Sequence, residues 1–293
     1  MQSLAHRGAE IRAETLAELA RGGFDLLVIG GGIVGTGTAA LAARQGLRVA
    51  LLERADFAAG TSSASSKLVH GGLRYLRMGD VRLVREALRE SVVLRRVVAP
   101  HLVRELDFLL PVYRDGPYGR PAIRAALGLY SLLGGSPRGR IASPERAAAT
   151  VPFLRLEGLA GAGLYADAQT NDARLCLANV RAAADAGAAV ANRVEVTAIG
   201  RAGGRTVVTA QDLCGGTWLE VSARAVVNAS GAAVDAVRRL EDARAGTSVT
   251  LSKGAHLVLE RGGPRAVALT IPVDRERVSF AIPWEGLLLL GTT

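Results

Sequence analysis

Residues 24 to 53 read FDLLVIGGGIVGTGTAALAARQGLRVALLE, with Gly30, Gly32 and Gly35 in the spacing G-x-G-x-x-G. No other stretch restricts the fold as much. The apolar run 26 to 29 has the length of a buried strand, and 33 to 44 continues with helical character until Gly46 ends it. Residues 48 to 52 form a second apolar run that stops at Glu53, so the segment predicts a βαβ unit. Gly30 permits the tight turn, Gly32 removes the side chain that would block a pyrophosphate, and Gly35 lets helix and strand approach. The helix start offers N–H groups and partial positive charge to phosphates, and Glu53 stands where a carboxylate accepts ribose hydroxyls. The unit predicts an α/β, Rossmann-like parallel sheet that binds a dinucleotide. The glycines alone do not separate NAD from FAD.

A chain of 293 residues exceeds one ordinary domain, and its apolar share of 49% suffices for a sizeable core. The net charge of +9 raises nucleic acid or an anionic surface as partners, but aromatics make only 4% of the chain and no basic cluster is interleaved with them. Nucleic-acid binding is therefore not expected. Only Lys67 and Lys253 are lysines among 36 basic residues, and both lie in motif-like segments, which hints that those positions need an ammonium. Cys176 and Cys214 are far apart without metal-ligand spacing, so neither a disulfide framework nor a metal site is expected. No apolar run reaches the roughly 18 residues of a spanning helix. Glu10, Arg12 and Glu14 occupy the place of a secretory signal's apolar core, which predicts a cytoplasmic start.

Residues 9 to 21 predict a helical lead-in, 57 to 79 an ordered loop or interrupted helix rich in Gly, Ser and Thr, and 80 to 98 a helix. Pro100, Pro111, Pro117, Pro121 and Pro137 then punctuate a region whose one predicted element is an apolar helix from 123 to 133. Residues 171 to 186 predict a helix with Asp172 in its first turn and Gly187 at its end. Strands are expected over 189 to 199, 205 to 210, 221 to 228, 247 to 260, 267 to 273 and 278 to 290.

The run from Gly60 to Leu76, GTSSASSKLVHGGLRYL, joined to FDLLVIGGGIVG, resembles the FAD-dependent glycerol-3-phosphate dehydrogenases, respiratory enzymes that pass electrons to quinone. RLVREALRE, APHLVRELDFLLPVY, DAQTNDARLCLAN, VVNASG, LSKGAHLVL and IPWEGLLLLGTT carry the resemblance through the chain in the family's order. It implies FAD as cofactor, with Ser62, Ser63, Ser66, Lys67 and Leu68 lining it and His70 close to the isoalloxazine. Arg74 and Tyr75 are implied to face the substrate; a guanidinium suits a phosphate and a phenol can orient a hydroxyl. Ser230 and Gly231 follow a strand expected to pass near the flavin, and Arg193 and Val194 map to the adenine side. His256 is implied to be the base that takes the hydroxyl proton as hydride leaves carbon. Ala232-Ala233-Val234 depart from the bulky Trp usual shortly after this glycine in the family.

The resemblance implies oxidation of glycerol 3-phosphate to dihydroxyacetone phosphate, electrons passing to a membrane quinone. It also implies peripheral attachment to the inner face of the cytoplasmic membrane, with the 123 to 133 helix either resting on the bilayer or packed in the core. The residues leave a homodimer undecided. The expected domains are a helical lead-in (1–23), a discontinuous FAD-binding domain (24–74 and 164–245) and an inserted β-rich substrate domain (75–163 and 246–293). Because the family normally continues beyond this point, the chain is expected to be C-terminally truncated. Two further readings stay open: a non-catalytic FAD-binding fragment, and an oxidase that uses oxygen.

Overall fold

The computed structural model describes residues 4–134, 139–260, 266–274 and 277–292, with the side chains of 4–6, Arg74 and Arg77 outside that description. The chain forms two compact units, residues 1–65 with 171–251 and residues 66–170 with 252–293.

The first unit is built on a six-stranded sheet in the order Ala189–Ala191, Val49–Leu52, Phe24–Ile29, Trp218–Asn228, Arg205–Asp212, Val194–Ala202. The first four strands run parallel, and Arg205–Asp212 pairs antiparallel with both of its neighbours, Trp218–Asn228 and Val194–Ala202. Every residue of Val49–Leu52 is buried, as a parallel strand covered on both faces must be. The helices Ile33–Arg44 and Asp172–Asp185 cover one face, where Ala39, Ala40, Ala43 and Ala183 join Val28, Val49 and Leu51 in one core. Small side chains let these elements approach closely. The other face takes Leu16 and Leu19 from the helix Leu4–Arg21 together with Phe24, Leu27 and Leu52. Full burial of Leu19 is worth about 1.5–3 kcal/mol, so this helix is part of the unit rather than a separate lead-in.

The second unit carries an eight-stranded sheet. Its order is His256–Leu259, Leu287–Gly291, Val278–Trp284, Val267–Pro272, Val103–Tyr113, Leu159–Thr170, Leu68–Val69, with Arg140–Ala142 also paired to Leu159–Thr170. The helices Val81–Val93 and Arg120–Gly134 cover one face, and Pro144–Thr150 covers the other. A Cβ on Gly163 would lie 2.7 Å from Leu127 and 3.0 Å from Ile123, so this glycine lets the Arg120–Gly134 helix sit on the sheet. That helix buries Ile123, Leu127 and Tyr130 in the core and leaves Leu129 and Leu132 exposed. Among the described residues, no helix is long and apolar enough to cross a membrane.

Several sequence expectations differ from this fold. The predicted strand 189 to 199 is two strands, broken where Arg193 adopts a left-handed φ of 53°. The predicted strand 278 to 290 is a hairpin, turned by Glu285 and Gly286 at φ 47° and 83°, the positive pair that a tight two-residue turn requires. Of 247 to 260, only His256–Leu259 is strand. Val103–Tyr113 and Leu159–Thr170, the longest strand pair in this unit, fall where prolines and small residues masked the alternation. Residues 66–74 and 164–170 lie in the second unit, where Leu68–Val69 pairs with Leu159–Thr170, and 246–251 lie in the first.

Candidate functional site

In the first unit the glycine turn is fixed by close packing. A Cβ on Gly30 would lie 2.5 Å from the Ala229 carbonyl oxygen, and one on Gly35 would collide with the Gly30 carbonyl. Gly30 also has a φ of 110°, which disfavours a side chain. The end of the Trp218–Asn228 strand is tied to this turn by the Ala229 N–H, which donates to the Ile29 carbonyl at 2.8 Å. Gly32 is the N-cap of the Ile33–Arg44 helix and supplies no side-chain bond. Ser62 does instead: its Oγ accepts from the Ile33 N–H at 2.8 Å. Ile33 and Val34, at the same helix start, are 39% and 67% exposed, an apolar surface left open beside the glycines.

Glu53 lies against the turn. Its Oε2 accepts from the Gly31 N–H at 2.6 Å and its Oε1 from the Ala55 N–H at 2.7 Å. A carboxylate has about four acceptor positions, so both oxygens can still receive hydroxyl donors. Ser63 bonds locally, its Oγ donating to the Gly60 carbonyl at 3.3 Å. Ser230 donates its hydroxyl to Asn228 Oδ1 at 2.6 Å, and Gly231 follows with a φ of 57° and open space around its α-carbon. Val194 is 1% exposed, and its N–H donates to the Glu53 carbonyl at 2.9 Å, which ties this strand start to the end of the Glu53 strand. Its neighbour Arg193 donates its N–H to the Ala55 carbonyl at 3.0 Å. Cys176, which the sequence left without a role, lies under the turn with its Sγ 3.3 Å from the Gly31 carbonyl oxygen, and burial pushes its thiol up.

The second unit holds Ser66, Lys67, Leu68, His70, Arg74, Tyr75 and His256. Ser66 Oγ lies 2.9 Å from His256 Nε2. Desolvation, and next the Lys67 ammonium, hold the His256 imidazole below its usual value, which favours the neutral ring. Lys67 is buried, has a left-handed φ of 60°, and places Nζ 5.2 Å from the centre of the Trp284 ring. Leu68 enters the two-residue edge strand. His70 Nδ1 accepts from the Gly72 N–H at 2.9 Å, its ring centre lies 6.4 Å from that of Phe280, and desolvation holds the imidazole below its usual value. Tyr75 stands on the short helix Leu73–Arg77 and packs against the core around Val84 and Leu88. Arg74 is on the same helix, and its side chain lies outside the described residues. Among the described residues, no cluster of His, Cys, Asp and Glu could hold a metal ion.

A family model described as DAO, FAD dependent oxidoreductase, matches residues 25–293. The chain belongs to the FAD dependent oxidoreductase family. FAD is the cofactor of this family. The chain is 39% identical over 290 residues to a glycerol-3-phosphate dehydrogenase of Mycobacterium leprae, covering 98% of this chain and 49% of that protein. It is 38% identical over 283 residues to the alpha-glycerophosphate oxidase of Streptococcus pneumoniae, covering 92% of this chain and 46% of that one. Among solved structures, the glycerol-3-phosphate dehydrogenase of Bacillus halodurans complexed with FAD superposes with a TM-score of 0.73 at 30% identity, over 97% of this chain and 50% of that one. The chain spans about half the length of the curated relatives it matches.

The residues present fit the nucleotide end of FAD. The turn has side-chain-free positions at Gly30, Gly32 and Gly35, a helix N-terminus whose cap residue contributes no side chain, and an acidic residue at the end of the second strand. Positive charge at that terminus favours a pyrophosphate, and Glu53 favours hydroxyl donors over a second phosphate. Sequence reading missed Asn228, which orients Ser230, and Asp167 and Tyr130, which meet at 2.8 Å in the second unit. The signal for Asp167 was present in DAQTNDARL, but nothing local marks a carboxyl whose partner lies 37 residues earlier.

Proposed function

We propose that this chain is the FAD-binding and proton-accepting part of an enzyme that oxidises sn-glycerol 3-phosphate to dihydroxyacetone phosphate. The observation that carries the reading is the 2.9 Å approach of Ser66 Oγ to Nε2 of His256 in a chain of this family. Gly30, Gly32, Gly35 and Glu53, with Ser62 supporting the helix start, would hold the nucleotide end of FAD. When bound, FAD supplies the hydride acceptor for alcohol oxidation. His256 takes the C2 hydroxyl proton, and Ser66 fixes which ring nitrogen carries a proton beforehand. Arg74 would grip the phosphate through paired N–H donors, and Tyr75 would orient the substrate from the next position of the same helix. Lys67 adds positive charge that disfavours an imidazolium before the substrate is bound.

For the electron acceptor, the family resemblance of the Gly60 to Leu76 run supports a membrane quinone, with peripheral attachment to the inner face of the cytoplasmic membrane. The relative named alpha-glycerophosphate oxidase favours oxygen as a second reading. The visible spectrum of the purified chain, recorded with glycerol 3-phosphate under anaerobic conditions, tests the proposal. Flavin bands that bleach support it. Bands that persist leave a cofactor-binding fragment, and a colourless folded protein removes the enzyme reading for this chain. Admitting oxygen or a soluble quinone to the bleached protein then distinguishes the acceptors by the rate at which colour returns.

A further inference from the structure

The helix Leu73–Arg77 carries both residues assigned to the substrate, yet it is only five residues long and begins at Gly72 in a left-handed conformation with no side-chain cap. A helix this short has little stability of its own, so its direction depends on what holds its first turn. The holding groups come from distant parts of the second unit. The Gly71 N–H donates to Tyr130 Oη at 2.9 Å, and Tyr130 in turn meets the Asp167 carboxylate at 2.9 and 2.8 Å. Asp167 Oδ1 also lies 3.4 Å from the Gly71 nitrogen. A Cβ on Gly71 would lie 2.7 Å from Tyr130 Oη and 2.5 Å from Leu88, so the turn is pressed against its anchors. One residue before His70, the Val69 carbonyl accepts from Ser91 Oγ at 3.0 Å.

We infer that Tyr130 and Asp167 are positioning residues that set the direction of the Leu73–Arg77 helix through the Gly71 N–H. Neither needs to touch a ligand. The hydroxyl of Tyr130 accepts from the turn and donates to the carboxylate at once, so each bond polarises the other. Removing the hydroxyl leaves the Gly71 N–H and the Asp167 carboxylate without this partner in a largely desolvated place, and the turn moves to find others. The role of the helix as the substrate's phosphate-holding element rests on the function proposed above; the strap itself does not.

The test pairs Tyr130→Phe, which keeps the ring that packs against Tyr165, with the unaltered protein. Hydrogen exchange followed by mass spectrometry reads the peptide spanning residues 70 to 78. The expected result is exchange there at least tenfold faster in Tyr130→Phe, with the protection of Phe24–Ile29 and Val103–Tyr113 unchanged. Unchanged exchange over 70 to 78 overturns the inference. Asp167→Asn, which retains an acceptor for Tyr130, is expected to give a smaller acceleration; a larger one would show that the carboxylate and not the hydroxyl holds the turn, and would overturn the part assigned to Tyr130. The second readout is the glycerol 3-phosphate concentration for half-maximal flavin bleaching, expected to rise about tenfold in Tyr130→Phe while the limiting rate changes less than threefold. A fall in the limiting rate alone contradicts positioning of the phosphate-holding helix. If the unaltered protein does not bleach, the proposed function fails, and the exchange result still decides the strap.

Discussion

The hydroxyl of Ser66 lies 2.9 Å from Nε2 of His256, across 190 residues of sequence. Ser66 precedes an edge strand and His256 opens another at the far end of the same sheet's strand order. Ser66→Ala removes the hydroxyl that bonds the ring and leaves the imidazole in place. Anaerobic flavin reduction by glycerol 3-phosphate is expected to slow about tenfold, against roughly 100-fold to 10,000-fold for His256→Ala, with flavin retained in both. Equal rates in Ser66→Ala and the unaltered protein would remove Ser66 from the orienting role.

Lys67→Met tests the electrostatics of the same ring. Desolvation lowers the His256 value first and the Lys67 charge second, so removing the charge lets the ring protonate at higher pH. The acid limb of flavin reduction should move to higher pH, and a nuclear magnetic resonance titration of the His256 ring should move with it. A limb and titration both unmoved would show that burial alone sets the value.

The glycine turn separates packing from ligand approach. Gly35→Ala places a methyl against the Gly30 carbonyl and is expected to prevent folding or lower the melting temperature strongly. Gly32→Ala has only the Ser62 hydroxyl at 3.0 Å to displace and no positive φ, so it should fold and lose flavin. Circular dichroism on heating and the ratio of visible to ultraviolet absorbance check the two outcomes.

How much of this was legible follows from distance along the chain. The βαβ unit was legible because the glycines, the helix and Glu53 fall within one short segment whose spacing is itself the signal. The Ser62 cap was half-legible: a serine-rich run signals hydroxyls, but not that one of them would take the Ile33 N–H. Val103–Tyr113 was missed because Pro111 lies inside it, and proline in a strand usually argues against one. Leu159–Thr170 was missed because Ala and Gly at alternate positions erase the contrast that marks a buried face. The burial of Val194 follows from strand register, which spacing along the chain does not reveal.

Asp167 gives a pH prediction with a definite sign. Burial pushes its carboxyl up to about 7, against an ordinary value of 3.8. Between about pH 4 and pH 7 the folded chain therefore keeps a proton that the unfolded chain has released, so this group's contribution to stability falls as pH rises through that window. Asp167→Asn should flatten that part of the profile of urea midpoints against pH; a slope unchanged by the substitution would show that the carboxyl ionises normally.

The strand Phe24–Ile29 pairs on one side with Val49–Leu52, a few tens of residues on, and on the other with Trp218–Asn228, nearly two hundred residues later. On the ribosome the glycine turn and its helix are complete long before that second neighbour exists. Until it emerges, the nascent chain carries an apolar strand with one open hydrogen-bonding edge, the template for pairing with the wrong partner. The same arrangement that places Ala229 against Gly30 makes production of this protein depend on how long that edge is shielded.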